Sequence, residues 1–296
     1  MCSSTWLRRV LSYFWSGFII TIRTLRLNPN SFERLYNLDK ILYYRTRSIN
    51  KELAYSILPD GCVAIHFWDS LPTLDFIYFW GSKRGFYDRF REIEDKDVVI
   101  DCGAHVGIFT LKAAKRAKHG KVIAIEPETR NYEILKSNVK NNRLTNVVTV
   151  KSALTSKKSG EIRLYLHNLS EGHSLKVLHE DTRRFATYTK VQSNTLDDIA
   201  EAYGIDHADI IKMSVNAAEM DVIKGGGMLL RQSRYLVIEI DRKLTQVEDL
   251  ANLLFEYGFK KVVRDYRLGS KMESQVHFER AHANKPLGYI REFNAQ

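Results

Sequence analysis

Asp97-Val-Val-Ile-Asp101-Cys-Gly103-Ala-His105-Val-Gly107-Ile-Phe-Thr-Leu-Lys-Ala-Ala114, followed after a basic turn by Lys121-Val-Ile-Ala-Ile-Glu126-Pro127, is the stretch around which the chain is organised. A β-branched run (Val98, Val99, Ile100) ends at Asp101, and two glycines follow. Ile108, Leu111, Ala114 and Ala117 then recur along one side of a helix, and a second apolar run ends at Glu126. The order is strand, glycine turn, helix, strand, with a carboxylate at each strand tip. Ligands of open α/β sheets bind outside the carboxyl ends of the strands, so both acids are placed at a small-molecule site.

The turn excludes the common phosphate binders. It lacks the Gly-Lys-Ser/Thr of a triphosphate loop, and Gly103-x-x-x-Gly107 is not Gly-x-Gly-x-x-Gly. An anion at Asp101 repels phosphate and attracts a cation or amino group. Glu126 can accept two hydrogen bonds from ribose hydroxyls. An acid for an amino or sulfonium group, a glycine turn for close approach and an acid for a ribose together describe S-adenosylmethionine. The bland alternative is that the two acids only cap strand and helix ends. Cys102 reads as a small residue filling a tight turn rather than as a nucleophile.

The chain has 296 residues, 44% of them apolar, enough for one large domain with a sizeable core. Its net charge is +10. Residues 1–50 hold eight basic residues against Glu33 and Asp39, a net +6, so the basic character sits mostly in an N-terminal extension. Cys2, Cys62 and Cys102 are far apart and lack metal-ligand spacing, which points to a reducing, cytoplasmic setting and no disulfide framework. Val10–Ile22 is uncharged but spans only about 20 Å as a helix, short of the roughly 30 Å of a bilayer core. No small-residue cleavage site follows it. Trp6, Tyr13, Phe14 and Trp15 between flanking arginines fit a helix lying on an anionic membrane, with residues 6–27 in contact; the alternative is an amphipathic helix packed on its own domain or on a partner.

We read 1–30 as this basic amphipathic helix, 31–95 as a lead-in layer covering the sheet, and 96–296 as the main domain. Within 31–95, a short helix is expected from about Phe32, a hairpin strand over Ile57–Trp68 after Pro59-Asp60-Gly61, and helix over Tyr87–Ile93. After Glu126, helical and strand patterns alternate. Strands are expected at 147–150, 161–166, 187–191, 210–215, 235–240, 259–263 and 275–278, with a polar loop over 168–181. Thr195-Leu-Asp-Asp198 is a capping pattern opening a helix. Glu219–Leu230 is helical, with Gly225-Gly-Gly227 to end or bend it. The expectation is a mainly parallel sheet with an antiparallel C-terminal edge and helices on both faces.

Residues 95–242 resemble the FkbM-type class I methyltransferases, a Rossmann-like family carrying O-methylation in natural-product and glycan pathways. The matching segments are Val99–Thr110, Val122–Pro127, the helix through Asn138 and Asn141, Asn146-Val-Val, Ser152–Leu154, Thr195–Asp198, Ile210–Met213 and Ala218–Gly225. The resemblance implies that Asp101, Gly103 and Gly107 hold the methionine part of S-adenosylmethionine, Glu126 the ribose, and Ser152 and Ala153 the adenine. His105, inside the turn, borders the cofactor or packs the helix start.

The departure lies at the fourth motif. The family reads Lys-Ile-Asp-Val-Glu-Gly-Ala-Glu, and this chain reads Lys212-Met-Ser214-Val-Asn216-Ala217-Ala-Glu219. A hydroxyl and an amide replace two acids. Ser214 and Asn216 can orient an acceptor but cannot take its proton, and they leave no metal site. The remaining candidates for catalysis are Glu239 at a strand end, Glu219, and His173 in the polar loop, whose ordinary pKa suits a base. The expected function is O-methylation of a sugar, glycan or glycolipid hydroxyl. A weakened, cofactor-binding scaffold is the alternative. A nucleic-acid methyltransferase ranks below both, because the basic excess is N-terminal and no Asn-Pro-Pro-Tyr-type tetrad is present.

Overall fold

The computed structural model describes residues 45–78, 87, 91–176, 185–241, 247–265 and 273–280. The basic segment 1–30 and the helix expected from Phe32 lie outside these residues.

The central sheet is seven-stranded. Its core is five parallel strands: β4 (Val98–Cys102), β5 (Lys121–Ile125), β6 (Val147–Val150), β10 (Ile210–Met213) and β11 (Tyr235–Asp241). Two antiparallel strands, β12 (Phe259–Asp265) and β13 (Glu273–Arg280), complete the edge in the order β12-β13-β11-β10-β4-β5-β6. These are the parallel sheet and antiparallel C-terminal edge expected from the pattern. Alternation along the strands separates two cores. Ile100, Ile123, Ile211 and Ile238 face one side with helices α4 (Leu196–Ala202), α5 (Glu219–Lys224), α6 (Gly227–Gln232) and α7 (Val247–Glu256). Val99, Val122, Ile210 and Val237 face the other, under α1 (Leu71–Tyr78) and α2 (Ile108–Arg116).

The helix over 219–230 is ended and restarted at its glycines, as expected, where Gly225 packs closely against the Thr155 carbonyl. Other local expectations need correction. Arg91–Ile93 is not helical. The strands expected near 161–166 and 187–191 do not join the central sheet. They are β8 (Gly160–His167) and β9 (Phe185–Asn194), which with β7 (Ala153–Leu154) form a separate three-stranded sheet. Ser214 lies just past the end of β10 rather than within a strand.

The hairpin at Pro59-Asp60-Gly61 is β2 (Leu53–Ile57) and β3 (Val63–Phe67), joined by the short β1 (Arg47–Ser48). The free edge of β3 is closed by a helix. Asn138, on α3 (Thr129–Asn141), accepts from the Ile65 amide (2.7 Å) and donates to the Ile65 carbonyl (2.8 Å). Asn142, at the helix end, pairs Val63 in the same way, at 2.8 Å for both bonds. Four residues advance about 6 Å along a helix and two advance about 6.6 Å along a strand, so two asparagines one turn apart imitate a partner strand. Asn138 also donates to the Val106 carbonyl (2.8 Å), tying the layer to the glycine turn. Asn138→Leu should cost roughly 3 kcal/mol in urea denaturation, because three backbone groups lose their partner. Exposed Asn141→Ala should stay within about 0.5 kcal/mol.

Candidate active site

β4 has β5 on one side and β10 on the other, so the strand order reverses between β4 and β10. A cavity of about 400 Å³ opens at their carboxyl ends, within the usual size of small-molecule sites. Gly103 and Gly107 make its floor possible. Gly103 has φ +74, and a β-carbon there would lie 1.9 Å from the Ser214 carbonyl oxygen. The glycine thus lets the ends of β4 and β10 touch. Gly107 has φ +87, and its β-carbon would meet only the tip of Leu135.

Asp101 does not reach the cavity. It is fully buried; Oδ2 accepts from Thr110 (2.6 Å) and Oδ1 lies 3.0 Å from Lys212 Nζ. This corrects its expected contact with the methionine part, since its charge is spent inside the protein. Lys212, directly opposite Asp101 in register, also donates to the Gly103 carbonyl (2.7 Å). Gly107 likewise stands behind the wall, whereas Gly103, His105, Glu126, Ser152 and Ala153 line it.

Glu126 is held by the His105 amide on Oε2 (2.8 Å) and the Glu128 amide on Oε1 (3.0 Å). Burial nevertheless pushes its carboxyl up to about 7. His105 sits at φ 52, stacked on Phe67, and burial pushes its imidazole down to about 3. Its Nε2 lies 3.0 Å from Ser170 Oγ. Burial also raises the Cys102 thiol, in keeping with a filling role.

The opposite wall holds the acceptor-side candidates. Glu239, on β11, lines the cavity and accepts from Tyr87 Oη (2.7 Å). Glu219 is fully buried, lines the cavity, and its Oε1 accepts the Ala217 amide (2.9 Å), bracing the 214–218 turn. Asn216 also lines the cavity, and its Nδ2 donates to the carbonyls of Glu171 (2.8 Å) and His173 (2.9 Å). Ser214 lines the cavity. His173 Nδ1 accepts the His167 amide (3.0 Å), and burial lowers its pKa.

Sequence reasoning missed Tyr87, Lys212 and Asp69. Lys212 left a signal, because a lysine inside the apolar run Ile210–Met213 demands a buried acid. Tyr87 left none, being one aromatic residue among many in its segment. Among the described residues, no group of three or more His, Cys, Asp or Glu is placed to hold a metal.

The family model described as the methyltransferase FkbM domain matches residues 101–261, more than half of the chain. The chain belongs to the FkbM methyltransferase family. It is therefore an S-adenosylmethionine-dependent methyltransferase by class, and the buried acid beside a glycine turn fits that cofactor's ribose. The methyltransferase sdnD of Sordaria araneosa is 25% identical over 218 residues, covering 64% of this chain and 74% of sdnD. The hexuronic acid methyltransferase AglP of Haloferax volcanii is 24% identical over 165 residues, covering 56% of this chain and 64% of AglP. A solved FkbM methyltransferase from Methylobacillus flagellatus superposes with a TM-score of 0.48 at 16% identity. That match covers 71% of this chain and about half, 53%, of the solved one. Asn216 and Ala217, in the turn after β10, both have left-handed φ (45 and 76).

Gly103→Ala should destabilise by roughly 3 kcal/mol or more and Gly107→Ala by only about 1–2, because backbone blocks the first and a flexible side chain the second. Thermal unfolding of the two variants checks the order. The unfolded chain releases the Glu126 proton near 4.5 and the folded chain near 7, so the folded state holds more protons in between. Stability should therefore fall as pH rises through that window, and Glu126→Gln should flatten the fall. Cofactor affinity should weaken about tenfold per pH unit below 7, since the ribose needs the ionised acid.

Proposed function

We propose that this methyltransferase acts on a hydroxyl of a sugar in a glycan or glycolipid, with Glu239 as the base. The observation that carries this reading is the Tyr87–Glu239 pair at the cavity wall opposite Glu126. Tyr87 donates to Oε2 (2.7 Å), and the Glu239 carboxylate lines the cavity, where an acceptor hydroxyl can reach it. S-adenosylmethionine, when bound, supplies a methyl group on a sulfonium. Glu126 would hold its ribose through two hydroxyls. Glu239 would orient the acceptor hydroxyl and take its proton, with S-adenosylhomocysteine as the leaving group. Tyr87 keeps the carboxylate aimed, and Lys212, 5.4 Å from the Tyr87 ring centroid, balances the charge behind it. Positioning carries most of such a transfer. Support for a sugar comes from AglP, whose name states a hexuronic acid substrate.

Methyl-labelled S-adenosylmethionine incubated with fractionated glycans and lipids tests this. Label should enter a carbohydrate fraction. Glu239→Gln should lower the initial rate about a hundredfold or more while S-adenosylhomocysteine binds as before. A full rate in that variant rejects Glu239 as base. Cofactor binding with no labelled acceptor in any fraction favours the scaffold reading.

We also propose, from sequence, that residues 6–27 seat the chain on an anionic membrane. Among the described residues no helix is long and apolar enough to cross one. Deleting residues 1–27 should abolish sedimentation with anionic liposomes, and continued sedimentation rejects the assignment.

A further inference from the structure

The segment from Leu169 to Leu175 crosses the cavity mouth as a strap and is fastened at both ends. At one end Ser170 donates to Asp69 from its amide (2.9 Å) and from Oγ (2.8 Å), and Asn131 donates to the Ser170 carbonyl (3.0 Å). At the other end stands Asn216. Its Nδ2 donates to the Glu171 and His173 carbonyls (2.8 and 2.9 Å), and its own carbonyl accepts from Ser174 Oγ (2.5 Å).

We propose that Asn216 is a positioning residue of this site: its amide holds the strap across the cavity and so places His173 in the cavity wall. The chemistry of the side chain carries the argument. An amide nitrogen has two donors, and here each meets a carbonyl. A carboxylate, which the family motif carries at this position, would set oxygen against those same carbonyls. Asn is also among the non-glycine residues that best tolerate left-handed backbone, and Asn216 has φ 45. The exchange of an acid for an amide therefore trades a charge at the cavity for a fastened strap. His173 is the side chain this delivers. Its Nδ1 is fixed by the His167 amide, and burial holds its protonation below the ordinary value of 6.5. Glu128 and Asp69 favour its charged form, while His167 and Arg130 oppose it. The inference rests on the methyl-transfer reading only for what His173 then does.

The test uses the full chain without cofactor or acceptor, so it fails independently of that reading. Asn216→Gly keeps the left-handed backbone without strain and removes both donors. Amide exchange across 169–175 should accelerate at least about tenfold, and the His173 imidazole, followed by NMR, should titrate closer to 6.5. Unchanged exchange and an unchanged His173 titration, with native circular dichroism, overturn the proposal. Should the glycine variant fail to fold, Asn216→Asp, close in shape but without donors, decides by exchange alone, because its added charge would itself shift His173. Faster exchange in that variant supports the strap, and exchange at the rate of the unsubstituted chain overturns it.

Discussion

Lys212 and Asp101 meet 3.0 Å apart with almost none of either side chain exposed. Burying two charges is costly unless each finds further partners. Here Thr110 satisfies the acid, and the Gly103 carbonyl and the Tyr87 ring face the lysine. The pair bridges β4 and β10 across the point where the strand order reverses. Everything at the cavity floor is placed from there. The Gly103 turn is drawn to Lys212, Ser214 follows one residue beyond β10, and Tyr87 is set between Lys212 and Glu239.

The Gly103–Ser214 contact has the same origin. Two strand ends pulled together by a buried ion pair leave no room for a β-carbon. The turn that follows, 214–219, is braced by its own side chains. Glu219 spends its carboxylate on the Ala217 amide and Asn216 spends its amide on the strap. Glu219 and Asn216 thus hold backbone at the cavity, while Glu239 lines it with its carboxylate bonded to Tyr87.

The two halves of the site draw on different parts of the chain. Glu126, Ser152 and Ala153 follow closely on β5 and β6, and β9 then holds Ser152 and Ala153 through Asn194 and Ser193. Tyr87, Glu239 and Asp69 converge from segments separated by up to 170 residues. The N-terminal layer that supplies two of them is fastened by Asn138 and Asn142, whose helical spacing happens to match a strand edge.

This division explains how far the residues alone could be read. The apolar runs ending in Asp101 and Glu126, the glycines between them and the later alternation of strand and helix were enough for the α/β fold, the family and the cofactor, because those features are periodic and near in sequence. The same reading misjudged Asp101, since a carboxylate's role depends on whether a cation reaches it first, and Lys212 arrives from 111 residues away. Nor could it tell that Asn216 and Glu219, both at the cavity, also bond backbone, because that depends on what lies within about 3 Å. β8 and β9 looked like more of the central sheet because a strand's pattern records only that it is paired, not with which partner. Local order was written in the chain's own periodicity, while the division of labour among its polar side chains was settled only when distant segments packed and took each partner.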